Sequence, residues 1–118
     1  MTEREFWRFL NQKSRIQMLA GSIAASDISK DAVGEFISAH ALLPKDYDNL
    51  SEEEIVNTGN LLFQKNMMQR TKEAVLILLA HQISDAALTI LTRFNLNPDK
   101  ELRAFAKFAL EESLMWNE

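Results

Sequence analysis

The chain has 118 residues, 47% of them apolar and 25% charged, with a formal net charge of −4 and no cysteine. This composition describes one globular domain and excludes a disulfide scaffold, thiolate chemistry and a disordered or fibrous class. The longest apolar run, 74–80, is far short of the roughly 18 residues that span a bilayer, and the acidic opening Met1 to Arg8 lacks the pattern of a signal peptide, so a cytoplasmic location is expected.

Thr2 and Glu5 have the spacing of a capping box, which predicts a first helix from there. Phe6, Phe9 and Leu10 share one side of it, Trp7 lies beside them, and Arg4 and Arg8 face away. The apolar period is lost from Asn11 to Ser14, which predicts a break. A second helix over 15–25 carries Ile16, Leu19, Ile23 and Ala24, and Gly21 with Ala20, Ala24 and Ala25 leaves a shallow surface for close helix approach. Ser29 caps a third helix with Ala32, Val33, Phe36, Ile37, His40 and Leu43 at helical spacing, and Pro44 ends it. The polar stretch 44–50 is a loop holding the lone Tyr47. Ser51 and Glu54 repeat the capping-box spacing, with Glu52, Glu53 and Glu54 complementing the dipole of a fourth helix that carries Ile55, Val56, Leu61 and Leu62 to about 66.

After 67–70, a connection or a first helical turn, comes the stretch around which the chain is organised. Lys72 and Glu73 give way to Ala74, Val75, Leu76, Ile77, Leu78, Leu79 and Ala80. Only Val75 and Ile77 are β-branched and no Gly or Pro bounds the run, so it reads as a helix, reaching about 82, rather than a buried strand. A helix that is apolar all round must be covered on several sides. Ser84 caps a sixth helix, with Ala87, Leu88, Ile90, Leu91 and Phe94 as its apolar face, closed by Asn95 to Asn97. Asn97 then caps a last helix with Pro98 at its first position and a stripe of Leu102, Phe105, Ala106, Ala109 and Leu110. The prediction is an all-α domain over 1–118, of about seven helices stacked as antiparallel pairs.

The segment from Asn97-Pro98-Asp99 through Leu102-Arg103 to Ala109-Leu110 resembles the second helix of a HEAT-like repeat, of the short kind found in bacterial regulatory and lyase-associated proteins. Ser84 to Leu91 resembles the first helix of the same repeat. Lys72 to Leu79 overlays Arg103 to Leu110 as the second helix of a preceding repeat, with 52–66 as its first. The resemblance covers 84–118 best, extends to 52–83, and reaches 1–51 only as helical pairs. It implies an α-α superhelix or compact bundle, a binding surface on successive second helices, a structural role for Arg103, and no catalytic residue. Asn97 stands where the family often has Asp.

Few residues suggest chemistry. His40 and His81 each fall in the last turn of a predicted helix, where an imidazole bonds orphan carbonyls. With no cysteine and no histidine pair at spacing three or four, neither a metal site nor any cofactor is expected. His81, Ser84 and Asp85 could suggest a triad, but Ser84 and Asp85 suit a cap and first turn. A calcium loop begun at Asp46 fails, because Ser51 and Asn57 stand where it needs Gly and Glu. Gly21, Gly34 and Gly59 form no phosphate-cradling loop.

Charge is unevenly placed. Residues 45–60 hold one Lys against five carboxylates, whereas 61–107 hold seven cations against four carboxylates. Arg70, Lys72, Lys100, Arg103 and Lys107 form a basic strip, which together with Tyr47 and its acidic loop is the candidate partner-binding surface. Trp7 and Trp116 read as covers for the ends of the core, or one of them as an anchor for a partner. The expectation is a non-enzymatic module that binds another protein. Nucleic acid on the same strip is the alternative, a membrane is not a partner, and a homodimer stays open.

Overall fold

The computed structural model describes residues 1–13, 36, 39, 40 and 50–117. Among them stand five α-helices and no strand: α1 (Glu3–Lys13), α2 (Glu52–Gly59), α3 (Gln69–Ala80), α4 (Asp85–Leu96) and α5 (Arg103–Trp116). A 3-10 turn at Asn60–Phe63 prolongs α2, and another at Lys100–Leu102 leads into α5. The all-α class holds, with five helices against about seven predicted. The predicted helix at 15–25, the small-residue surface around Gly21, most of the helix ending at Leu43, and Tyr47 with its loop lie outside the described residues. Of that third helix, Phe36 and Ala39 are helical and His40 is in a 3-10 turn.

Both capping boxes form. The Thr2 N–H donates to Glu5 Oε1 at 2.8 Å while the Glu5 N–H donates to Thr2 Oγ1 at 3.1 Å, and Ser51 and Glu54 make the same reciprocal pair at 2.8 and 3.1 Å. α3 begins without a cap of its own, because its N-cap residue is Met68. The Glu3 carboxylate supplies it from α1, accepting the Met68 N–H at 3.0 Å and the Thr71 hydroxyl. Trp7 Nε1 donates to Thr71 Oγ1 at 3.0 Å, and the Trp7 ring packs edge-on against Phe6. Trp7 thus ties α1 to the start of α3.

The apolar run is wholly enclosed. Val75 through Ala80 are each 0% exposed, and α3 packs against α2, α4 and α5. Each of its leucines contributes about 2 kcal/mol of burial. α2 also packs on α4 and α3 on α5, so α2 with α3 and α4 with α5 make two couples lying one on the other. The radius of gyration, 13.0 Å, and extents of 31 × 30 × 29 Å are those of a compact bundle, for which about 13.5 Å is expected at this length. No helix among the described residues is long and apolar enough to cross a membrane.

Three predicted boundaries are corrected. α1 runs through Asn11 to Lys13, most of the stretch 11–14 where the lost apolar period predicts a break, and Ser14 lies outside the described residues. α2 tightens into its 3-10 turn after Gly59 and stops at Phe63 rather than 66, and a Cβ on Gly59 would lie 2.6 Å from Ile90 Cδ1 of α4. Asn97 does not cap the last helix. It ends α4, its N–H donating to Phe94 O at 3.2 Å, and Pro98 precedes an extended Asp99 whose carboxylate is drawn to Lys72. Helical conformation resumes only at Lys100.

Candidate functional site

A helix buried on every side exposes polar groups to its surroundings only at its ends, and the C-terminal end of α3 gathers most of the chemistry among the described residues. Its last carbonyls need partners. His81 Nδ1 lies 2.9 Å from Ile77 O, and Gln82 Nε2 donates to Leu78 O at 3.0 Å from a nearly fully buried position. The end-of-helix role expected for His81 is therefore present. His40 repeats it, with Nδ1 2.8 Å from Phe36 O.

The fold adds a meeting of side chains that no spacing in the sequence announces. The two imidazoles meet edge-to-face with ring centres 5.1 Å apart, and both turn Nε2 toward Glu112 of α5. His40 Nε2 lies 3.0 Å from Oε1 and 3.3 Å from Oε2, while His81 Nε2 lies 3.4 Å from Oε2. The three donor atoms fall within 4.8 Å of one another, all partly buried, and are the residues that could hold a metal ion. Phe36 packs edge-on against His40 and also against Phe105, fixing the imidazole over α5. One helical turn past Glu112, Trp116 lies 6.2 Å from the His81 ring.

Beside this cluster a cleft of about 510 Å³ opens between the start of α2 and the turn joining α3 to α4. Leu50, Ile55 and Ile83 give it apolar walls, Glu52 and Asp85 give it two carboxylates, and His81 lines its inner end; no Lys or Arg among the described residues lines it. Ile83 is 77% exposed, Met115 72% and Trp116 51%. Asn117 Nδ2 donates to Gln82 O at 3.2 Å and to Ser113 O at 2.8 Å, holding the end of α5 against this turn. Ser84 Oγ accepts the Ala87 N–H at 3.3 Å, the cap expected of it, and Asp85 begins α4.

The predicted basic strip does not survive whole. Lys72 is buried and its ammonium stands 2.5 Å from Asp99 Oδ2; the apolar surroundings of α3 enclose its stem and Asp99 pairs its charge. Lys100, Arg103 and Lys107 are exposed, with Arg103 and Lys107 one turn apart on α5, and Arg70 is half-buried. Tyr47 lies outside the described residues. The cluster escaped sequence reasoning because its members are separated by 41 and 31 positions, and no helical or motif spacing links such residues. Compared with known proteins, the chain matches no family model, no curated protein and no solved structure.

Proposed function

We propose that the protein is a small non-enzymatic binding module of HEAT-like helical couples that receives an apolar segment of another protein carrying basic side chains. The observation that carries this reading is the cleft at the end of α3, with two carboxylates and no cation among the described residues of its lining, with exposed Ile83 in its wall and with exposed Trp116 beside His81, which lines it. Large exposed apolar groups beside a concave surface are the anatomy of a binding site, and tryptophan is the side chain most enriched among energetic anchors. A one-signed rim selects a partner of opposite charge and speeds its approach. The layering of α2 on α4 and α3 on α5 supports the repeat reading, since stacked couples share one core and leave their turns for recognition. The absence of cysteine fits a cytoplasmic setting. The nucleic-acid reading loses Lys72, and the cations left on α5 oppose a net charge of −4.

The test uses two labelled amphipathic peptides with identical apolar residues, one with Lys and Arg at its polar positions and one with Asp and Glu, followed by fluorescence anisotropy. The basic peptide is expected to bind about tenfold tighter or more, with a preference that shrinks at high salt. Trp116→Ala, a change on the surface, is expected to weaken it by about tenfold. Charge reversal with Glu52→Lys and Asp85→Lys is expected to abolish the preference. Equal binding of both peptides, or full affinity in Trp116→Ala, would sink the proposal.

A further inference from the structure

We propose that His40, His81 and Glu112 form a binding site for one divalent transition-metal ion of the zinc class, held by Nε2 of each imidazole and a carboxylate oxygen. The hydrogen bonds behind the rings define the donor atoms. A carbonyl oxygen only accepts, so His40 Nδ1, at 2.8 Å from Phe36 O, and His81 Nδ1, at 2.9 Å from Ile77 O, both carry hydrogen. A neutral ring in that tautomer presents a lone pair at Nε2. Both lone pairs face the same carboxylate, at 3.0 and 3.4 Å. Lone pairs opposed to carboxylate oxygens repel unless a positive centre lies between them. A single divalent cation between the three groups relieves both contacts at once.

The dimensions suit such an ion. Three donors bound tetrahedrally at about 2.0–2.1 Å lie roughly 3.3 Å from one another, close to the 3.3 and 3.4 Å that separate Glu112 Oε2 from Nε2 of His40 and of His81. The full set spans no more than 4.8 Å, so the widest gap closes by at most about 1.5 Å on capture of the ion, within reach of side-chain rotation. Two imidazoles with one carboxylate are a zinc donor set, while nitrogen ligands are foreign to calcium and magnesium. A carbonyl accepting the far N–H of each ring is the outer-shell partner that orients metal-bound histidines and raises their basicity. The cleft lined by His81 leaves room for water to complete the coordination. The bound ion would join His40, the end of α3 and α5 through one centre, bridging residues 72 positions apart.

The full chain, stripped with chelator, is titrated with cobalt(II) followed by visible absorption, then with zinc as competitor. The expected result is saturation at about one equivalent and displacement by zinc, with affinity reduced at least about tenfold in each of His40→Gln, His81→Gln and Glu112→Gln and unchanged in the exposed Glu53→Gln. Histidine nitrogen NMR on the unaltered protein decides independently of how the variants fold: zinc should shift both Nε2 resonances and leave both Nδ1 protonated. No saturable binding at about 1 mM zinc, binding that persists in His40→Gln and His81→Gln, or unmoved Nε2 resonances would overturn the assignment. Since the readout is the ion alone, failure of the peptide experiment leaves it untouched.

Discussion

Asp99→Asn removes the charge that faces the buried Lys72 ammonium and leaves its shape almost unchanged. The Lys72 side chain is 8% exposed and that of Asp99 40%, with 2.5 Å between charged atoms. At ion-pair contact the attraction is on the order of 5 kcal/mol for an effective dielectric near 20, before the cost of taking the charges from water is subtracted. Losing one partner of a fully buried pair costs about 3–5 kcal/mol, and water reaches the exposed edge of Asp99, so about 2 kcal/mol is the net expectation for Asp99→Asn. Lys72→Met keeps the apolar stem and removes the charge, and should lie within about 1 kcal/mol of the parent. In the double variant no unpaired cation is left inside, so its stability should match that of Lys72→Met. Urea unfolding at 25 °C measures all four proteins, and a coupling energy above about 1 kcal/mol is expected from the cycle. Strictly additive losses, or an Asp99→Asn protein as stable as the parent, would refute the claim that Lys72 closes inward and would return it to the exposed basic strip.

Three further outcomes are expected from the packing around α3 and from the cap of α1. Glu3→Ala strips the start of α3 of its acceptor from α1 and should cost about 1 kcal/mol, with faster hydrogen exchange at the Met68 amide. An unchanged Met68 rate would count against capping across helices. Gly59→Ala adds the better helix former yet places a Cβ 2.6 Å from Ile90 Cδ1 and 3.0 Å from Cγ2, so it should destabilise the parent, whereas in an Ile90→Ala background, which removes both atoms, the roughly 1 kcal/mol of helix propensity should show as a gain; thermal denaturation reads the change of sign. The Thr2 backbone N–H, and then its hydroxyl, hold the exposed Glu5 carboxyl below the usual carboxylate range. A depressed folded value means that the contribution of this capping box is full above the ordinary range and fades as pH falls through the folded value. Carboxyl NMR should give a midpoint below that of the unfolded chain, and Thr2→Ala, which removes the hydroxyl but keeps the backbone N–H, should reduce the shift without abolishing it.

What the sequence discloses about this fold is what depends on neighbours in sequence. Both capping boxes are visible in it because their partners are three residues apart, and α3 is visible because an unbroken apolar run leaves no surface to expose. The errors have a common physical origin in contacts made over long stretches of chain. Asn97 and Pro98 look like a helix start, but Asn97 closes α4 and Asp99 is the extended residue before the 3-10 turn, its carboxylate paired with the buried ammonium of Lys72, 27 positions away. Lys72 itself looks like one member of a cationic row until its burial is known. His40, His81 and Glu112 come from three separate segments, so no local spacing could have joined them, although the end-of-helix role of each histidine was legible and proves to be the feature that aims its other nitrogen.

The apolar completeness of α3 also determines where function can reside. Val75 to Ala80 are sealed in the core, and none can be made polar without leaving an unsatisfied group there. Polar chemistry is therefore displaced to the two ends of the helix. At the first end, Glu3, Thr71, Lys72 and Asp99 are consumed by mutual hydrogen bonds and ion pairing that close the structure. At the second, the carbonyls of Ile77 and Leu78 recruit His81 and Gln82, and the ring so fixed turns its other nitrogen to a carboxylate already shared with His40. Three donor groups within 4.8 Å of one another, next to a cleft, exceed what closing a helix requires. That surplus distinguishes the C-terminal end of α3 from its N-terminal end and is the ground for proposing an ion and a partner there rather than at the other end.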